Sequence, residues 1–238
     1  MSRVVVFGNG VFAELMGYLL SHDSEHEVVG FTVDRTYLKR DRVLGRPVVP
    51  FETVNATFPP TEFDMIVPIS FQRVNRLRAA KYSEAKDMGY RLVNYVSSRA
   101  VTYPDLMIGD NCVILENAVV APFVEIGKDV TVASSAIVGH HSLLMDHCFV
   151  APGAVILGNV TVGEYSLVGA NATIREEVTV APESLIGSGV AISRDTQEHG
   201  VYLNSPPRPL AKRSNELRTW LMWPVRSGRG SCNPADGQ

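Results

Sequence analysis

The sequence is poor in the features that would staple, anchor or metallate a protein. Its three cysteines, Cys112, Cys148 and Cys232, are an odd set with no C-x-x-C spacing. That leaves no disulfide framework and no metal cage to expect. No window approaches the roughly eighteen consecutive apolar residues of a bilayer-crossing helix, so no membrane contact is expected. The opening Met-Ser-Arg-Val-Val-Val-Phe-Gly lacks the basic segment, apolar core and cleavage site of an export signal, and a cytoplasmic location is the expectation. With 22 basic against 25 acidic residues and a net charge of -3, no surface footprint for nucleic acid emerges. One local exception is 208–229, whose charge is mostly Lys and Arg, and which reads as a solvated or a phosphate-contacting tail.

What the chain does have is two rhythms. Up to about residue 100, short apolar runs alternate with helix-like segments. Strands are expected at 4–7, 28–33, 65–69 and 91–95, and helices at 12–20 and 74–88, which together describe a small α/β unit with a parallel sheet. Beyond it, every sixth residue from Ile108 through Ile114, Val120 and Ile126 to Ile192 is Ile, Val or Leu, fifteen positions without insertion or deletion. Two residues ahead of each anchor runs a second series, from Leu106 and Cys112 to Val190, in which every member is small or apolar.

Neither an α-helix nor an ordinary antiparallel strand has period six. A strict hexad is one short strand plus one turn, and three such faces close a triangular coil of eighteen residues, a parallel β-helix. Both series then fill the coil interior, which makes Cys112 and Cys148 packing residues rather than nucleophiles. Glycine recurs directly after the anchor at Gly109, Gly127, Gly139, Gly163, Gly169 and Gly187. Turns there are expected to need a residue without a β-carbon. The domains are therefore expected at 1–100, 101–210 and 211–238, the last a helix at 214–223 followed by a flexible tail.

Two places carry chemistry. In the β-helix, Gly139-His140-His141-Ser142 lies just past the anchor Val138, hence at a corner. Stacking by eighteen residues sets His140 beside Gly158 and His141 beside Asn159. A base and a backbone N–H one coil apart are what direct attack on a thioester needs, since one takes a proton and the other holds the carbonyl oxygen. The competing account is a surface turn or subunit contact; His147, on the next face, is read as structural. In the first domain, Gly8-Asn9-Gly10-Val-Phe-Ala13 joins a strand to a helix and suits a phosphate, with Asp34 after the second strand placed for a ribose or base. NAD binding is the alternative there, but about one hundred residues suit a mononucleotide half better than a full dinucleotide domain.

These motifs together resemble the left-handed β-helix sugar acyltransferases, including amino-sugar N-acetyltransferases of bacillosamine and perosamine synthesis and sialic-acid O-acetyltransferase-like proteins. The resemblance spans residues 1 to about 210 and also rests on Asn75-Arg-Leu-Arg78, Gly89-Tyr-Arg-Leu-Val-Asn94, Ala154-Val-Ile-Leu-Gly158 and Gly187-Ser-Gly189. It implies a left-handed coil, a homotrimer and acetyl-coenzyme A as acyl donor in a groove between subunits. It further implies His140 as base, Gly158 as N–H donor, and Gly169, Ala170 and Ser188 along the coenzyme groove. Gly8, Asn9, Gly10, Asp34, Asn75 and Arg78 then meet a nucleotide-linked amino sugar. Two departures stand out: the Glu that follows the base in well-known N-acetyltransferases is His141 here, and a later His of some members is Phe149. His141 carries no fixed negative charge, so Asn159 or a neighbouring subunit is expected to orient His140. The expected reaction is acetyl transfer to a sugar amine. O-acetylation of a sugar hydroxyl and a non-catalytic β-helix scaffold are the alternatives.

Overall fold

The computed structural model describes residues 2–204. The helix expected at 214–223 and the tail beyond it lie outside the described residues.

The first part is a five-stranded sheet with helices on both faces. Strands β1 (Arg3–Phe7) and β2 (Glu27–Val33) pair in parallel, linked by α1 (Val11–His22). A hairpin of β3 (Arg42–Val43) and β4 (Arg46–Pro50) extends the sheet, and after α2 (Val54–Thr57) strand β5 (Asp64–Ile66) lies on the far side of β1. All pairings are parallel except β3 with β4. The hairpin is an addition to the expected elements; its turn sits on Leu44 and Gly45, both with positive φ. Ala13, Met16 and Leu20 of α1 bury against Val4, Val6 and Phe31. On the opposite face α3 (Arg76–Asp87) contributes Tyr82 and Ala85 to a core with Val5, Met65 and Leu92. The strand expected at 91–95 divides instead: Leu92 forms a single bridge to Met65, and β6 (Tyr95–Val96) leaves the sheet to start the coil.

The coil is a hexapeptide-repeat left-handed parallel β-helix, and fifteen two-residue strands from Met107–Ile108 to Ala191–Ile192 build its three faces. Each residue pairs with the one eighteen on, as Ile137 with Val155 and Val155 with Thr173. Both periodic series are interior: Cys112, Ile114, Ala118 and Val120 through Ile192 form one buried column. The serines of the inner series are satisfied by backbone; Ser142 donates to Leu157 O at 3.0 Å and accepts from Val160 N at 3.1 Å. Burial pushes the Cys112 and Cys148 thiols up to about 12, so neither is a thiolate at neutral pH.

The corners correct one expectation. The left-handed residue at every corner from Asn111 (φ 56°) to Gly189 (φ 70°) is the third after the anchor, a position filled by Asn, Asp, His, Gly and others. Glycine directly after the anchor serves stacking instead. A β-carbon on Gly139 would lie 2.6 Å from Leu157 C, and one on Gly169 2.6 Å from Ile186 O.

Helix α3 is laid along one column of corners. Arg76 pairs with Glu183 and stacks over Tyr165, Arg78 reaches Asp129, and Tyr82 and Lys86 bond Asp110 at 2.6 and 2.7 Å. Within the column, His147 Nδ1 bonds Asp129 Oδ2 at 2.8 Å and its ring stacks on Tyr165. This polar seam and the apolar contact of Val93 and Tyr95 with Val113, Leu115 and Ala133 hold the α/β part on the coil.

Candidate active site

His140 and His141 stand exposed at the corner between the strands Ile137–Val138 and Leu143–Leu144. The imidazole of His140 lies flat against Gly158 of the next coil. A β-carbon on Gly158 would fall 2.7 Å from His140 Cε1 and 2.9 Å from Nε2, so only glycine leaves room for the ring in this position. The backbone is pinned there, with Asn159 N–H donating to His140 O at 2.9 Å and Glu177 N–H to Gly158 O at 3.1 Å. The Gly158 N–H makes no hydrogen bond among the described residues. A titratable ring and an uncommitted amide donor thus share one corner. His140 Nδ1 lies 3.1 Å from His141 Nδ1, and the His141 ring rests on exposed Phe123, with centroids 4.7 Å apart. Phe123 precedes His141 by eighteen residues, a contact that the stacking arithmetic offered and that the reading of the sequence left unused.

Gly169, Ala170 and Ser188 come together at a different corner of the prism, the one that follows the strands Leu167–Val168 and Leu185–Ile186. They line an apolar cleft of about 610 Å³ whose floor includes Phe149, Ala151 and Leu185 and whose roof is Phe12, Leu15 and Phe71 of the α/β part. The Ala170 and Ser188 amides also make no hydrogen bond among the described residues. Phe149 packs edge-on against Phe71 at 5.3 Å, so it serves as a cleft wall.

Gly8, Asn9, Gly10 and Asp34 share a second cleft of about 640 Å³ with Tyr37, Gln72, Arg73 and Lys81. Gly8 takes φ +111°, and its missing β-carbon would meet that of Ala13 at 2.9 Å, which explains both small residues of the motif. The amino terminus of α1 opens here with no side-chain cap on Gly10, leaving its first N–H groups for an anion. Lys81 bonds Asp34 at 2.7 Å and Glu84 at 2.8 Å. Burial opposes the ammonium charge, but these two carboxylates outweigh it and hold the Lys81 pKa above its usual value. Arg73 forms no ion pair among the described residues, although sequence reasoning passed over it. It sits in a run of three left-handed residues, Arg73, Val74 and Asn75, with φ of 52°, 49° and 62°.

Asn75 and Arg78, expected on the substrate, are turned the other way. Both are buried, at 0% and 1% exposure. Asn75 donates to Tyr165 O and Ser166 O at 2.8 and 3.1 Å, while Arg78 lies 3.0 Å from Asp129 Oδ1 and donates to His147 O at 2.8 Å. Buried in these contacts, they fasten α3 and the strained loop before it to the coil.

The bacterial transferase hexapeptide model (six repeats) matches residues 105–140 and 141–176. Among solved structures, the acetyltransferase domain of PglB from Neisseria gonorrhoeae is 27% identical with a TM-score of 0.77, over 88% of this chain and 100% of that one. A perosamine N-acetyltransferase from Caulobacter crescentus, solved with coenzyme A and GDP-perosamine, is 24% identical with a TM-score of 0.77, covering 84% and 93%. WeeI from Acinetobacter baumannii shares the fold at 17% identity and a TM-score of 0.61, over 81% and 94%. No curated protein matches the sequence. Repeat, two-part architecture and these likenesses agree: the chain carries bacterial transferase hexapeptide repeats and is similar over most of its length to the PglB acetyltransferase domain.

Proposed function

We propose that the protein transfers an acetyl group from acetyl-coenzyme A to the amino group of a nucleotide-linked sugar, with His140 as general base. The observation that carries this reading is the His140 ring resting on Gly158, whose N–H is uncommitted. In the reaction the sugar amine attacks the thioester carbonyl and passes a proton to Nε2 of His140. The developing oxyanion is held by the Gly158 N–H. Collapse breaks the carbon–sulfur bond, and the thiolate of coenzyme A takes the proton back from His140. No covalent enzyme intermediate is needed. Base catalysis of this kind is worth about 10²–10⁴-fold in rate, and one oriented oxyanion donor about 10²–10³-fold.

The apolar cleft at Gly169, Ala170 and Ser188 fits the pantetheine arm of the donor, and the cleft at Gly8, Asn9, Gly10 and Asp34 fits the nucleotide diphosphate and ribose. The coenzyme cleft and the His140 corner lie on different corners of one prism. A second copy of the chain supplies the missing half of each site, which supports a homotrimer with the donor held between neighbours. The same machinery serves a hydroxyl acceptor, and O-acetylation is the second reading because the pairing of His140 with Gly158 is indifferent to the acceptor atom. No helix among the described residues is long and apolar enough to cross a membrane.

The test is a screen of nucleotide-linked amino and hydroxy sugars with acetyl-coenzyme A, read by product mass. Acetylated amino sugar supports the reading. Transfer only to hydroxyls favours the second, and no transfer to any acceptor overturns both.

A further inference from the structure

His141 occupies the position from which a carboxylate would orient the base, and the geometry gives it that task by another route. Its Nδ1 lies 3.1 Å from His140 Nδ1 with the two rings nearly perpendicular, at 86°. Among the described residues neither ring pairs with a carboxylate, and the acids of the same corner column, Glu176 and Glu177, stand two coils on. What faces the pair is Phe123 of the preceding coil against His141 and Gly158 of the next coil against His140, neither of them titratable.

A contact between two Nδ1 atoms at this distance holds one proton. With none the lone pairs repel, and with two the N–H groups collide. The neutral pair therefore has two forms. In one, His140 donates Nδ1–H to His141, which leaves a bare lone pair on His140 Nε2 and puts the His141 proton on Nε2. In the other, His141 donates and His140 carries its proton on Nε2, where it cannot act as a base. We infer that His141 is a positioning residue for the proposed reaction: its Nδ1 lone pair accepts from His140 Nδ1–H, fixes His140 in the base-competent tautomer and stabilises the imidazolium formed when Nε2 takes the amine proton. Phe123 keeps the His141 ring in place, and Gly158 keeps the His140 ring in place. This rests on His140 as the base, but the tautomer itself is a property of the resting protein.

Two readouts test it. The first is the ¹⁵N spectrum of imidazole-labelled protein without substrates. His140 should be found protonated at Nδ1 and His141 at Nε2, and His141→Phe should shift His140 toward the Nε2–H form that predominates in free histidine. The second is kinetic. His141→Phe should lower kcat by roughly 10–100-fold, the cost known for losing the hydrogen-bond partner that orients a metal-bound imidazole and taken here as the scale, with KM for acetyl-coenzyme A unchanged. His141→Asn, whose Oδ1 can accept the same hydrogen bond, should recover most of that loss; His141→Phe should also move the acid limb of the pH–rate profile, which a purely structural role would leave in place. The inference is overturned if His140 carries its resting proton on Nε2, or if His141→Phe leaves kcat and the profile unaltered. Should His140→Ala retain full activity while the tautomers are as stated, the fault lies with the assignment of the base and not with the hydrogen bond.

Discussion

Gly158→Ala is the smallest change that tests the site. The added methyl carbon would sit 2.7 Å from His140 Cε1, 2.9 Å from Nε2 and 3.2 Å from Nδ1. Ordinary contact begins near 3.4 Å, so the ring or the backbone must give by about 0.7 Å, the difference between 3.4 and 2.7 Å. The backbone is held by the Asn159–His140 and Glu177–Gly158 hydrogen bonds between coils and by Leu157 N to Ile174 O at 3.0 Å. The imidazole therefore moves. Displacement of a reacting group by about 1 Å costs on the order of 10²-fold in rate, or about 2.7 kcal/mol of transition-state stabilisation. The fold should not suffer, because Gly158 has no positive φ for alanine to strain. The assay is release of coenzyme A thiol under steady state, beside a thermal melt. The His140→Ala/Gly158→Ala double variant completes a cycle: if the methyl acts by displacing His140, the double variant should be no slower than His140→Ala. Full activity in Gly158→Ala, or additive losses in the double variant, would refute this account of the corner.

Other consequences are open to separate checks. Arg73→Gln should raise KM for a nucleotide-linked sugar by roughly 10-fold or more, as loss of a charged hydrogen bond of about 1.5–3 kcal/mol requires, with KM for acetyl-coenzyme A unchanged; initial-rate kinetics at two salt concentrations decide it. Arg78→Met takes the guanidinium from the fully buried Asp129 carboxylate and leaves it to His147 and Asn111 alone, and removing one partner of a buried pair costs about 3–5 kcal/mol; urea unfolding should show it. Asp23 accepts from Tyr95, Ser97 and Ser98, and bonding led by Ser98 lowers its pKa from 3.8 to about 2. A depressed carboxyl pKa stabilises the folded protein above its unfolded value and loses that contribution as pH falls toward the folded one. Asp23→Asn should therefore flatten the drop in urea stability between about pH 4 and pH 2.

The coil was legible because its rule is local. Every hexad anchor must be apolar to enter the prism, and the eighteen-residue period fixes what stacks on what. That rule alone set His140 against Gly158. It also held the Phe123–His141 and Asp129–His147 contacts, which went unread because a stacking partner draws notice only when its chemistry is already suspected. The corner glycines were misread for a similar reason: sequence shows that a small residue recurs, and only the neighbouring coil shows that the space is taken by backbone. Asn75 and Arg78 were assigned to the substrate, whereas their partners at Ser166 and Asp129 lie 91 and 51 residues away. Such long-range polar contacts leave no periodic trace. The split of the expected 91–95 strand has the same origin, since Tyr95 is claimed by the coil through Val113 rather than by the sheet.

The central claim is that the His140 corner performs acyl transfer to a sugar amine. It is tested most directly by product mass from acetyl-coenzyme A and a panel of nucleotide-linked amino sugars, run with the unaltered protein and with His140→Ala. The account predicts an acetylated amino sugar from the first and a rate lower by about 10²–10⁴-fold from the second, with binding of acetyl-coenzyme A retained. Equal product from both, or none from either, would contradict it.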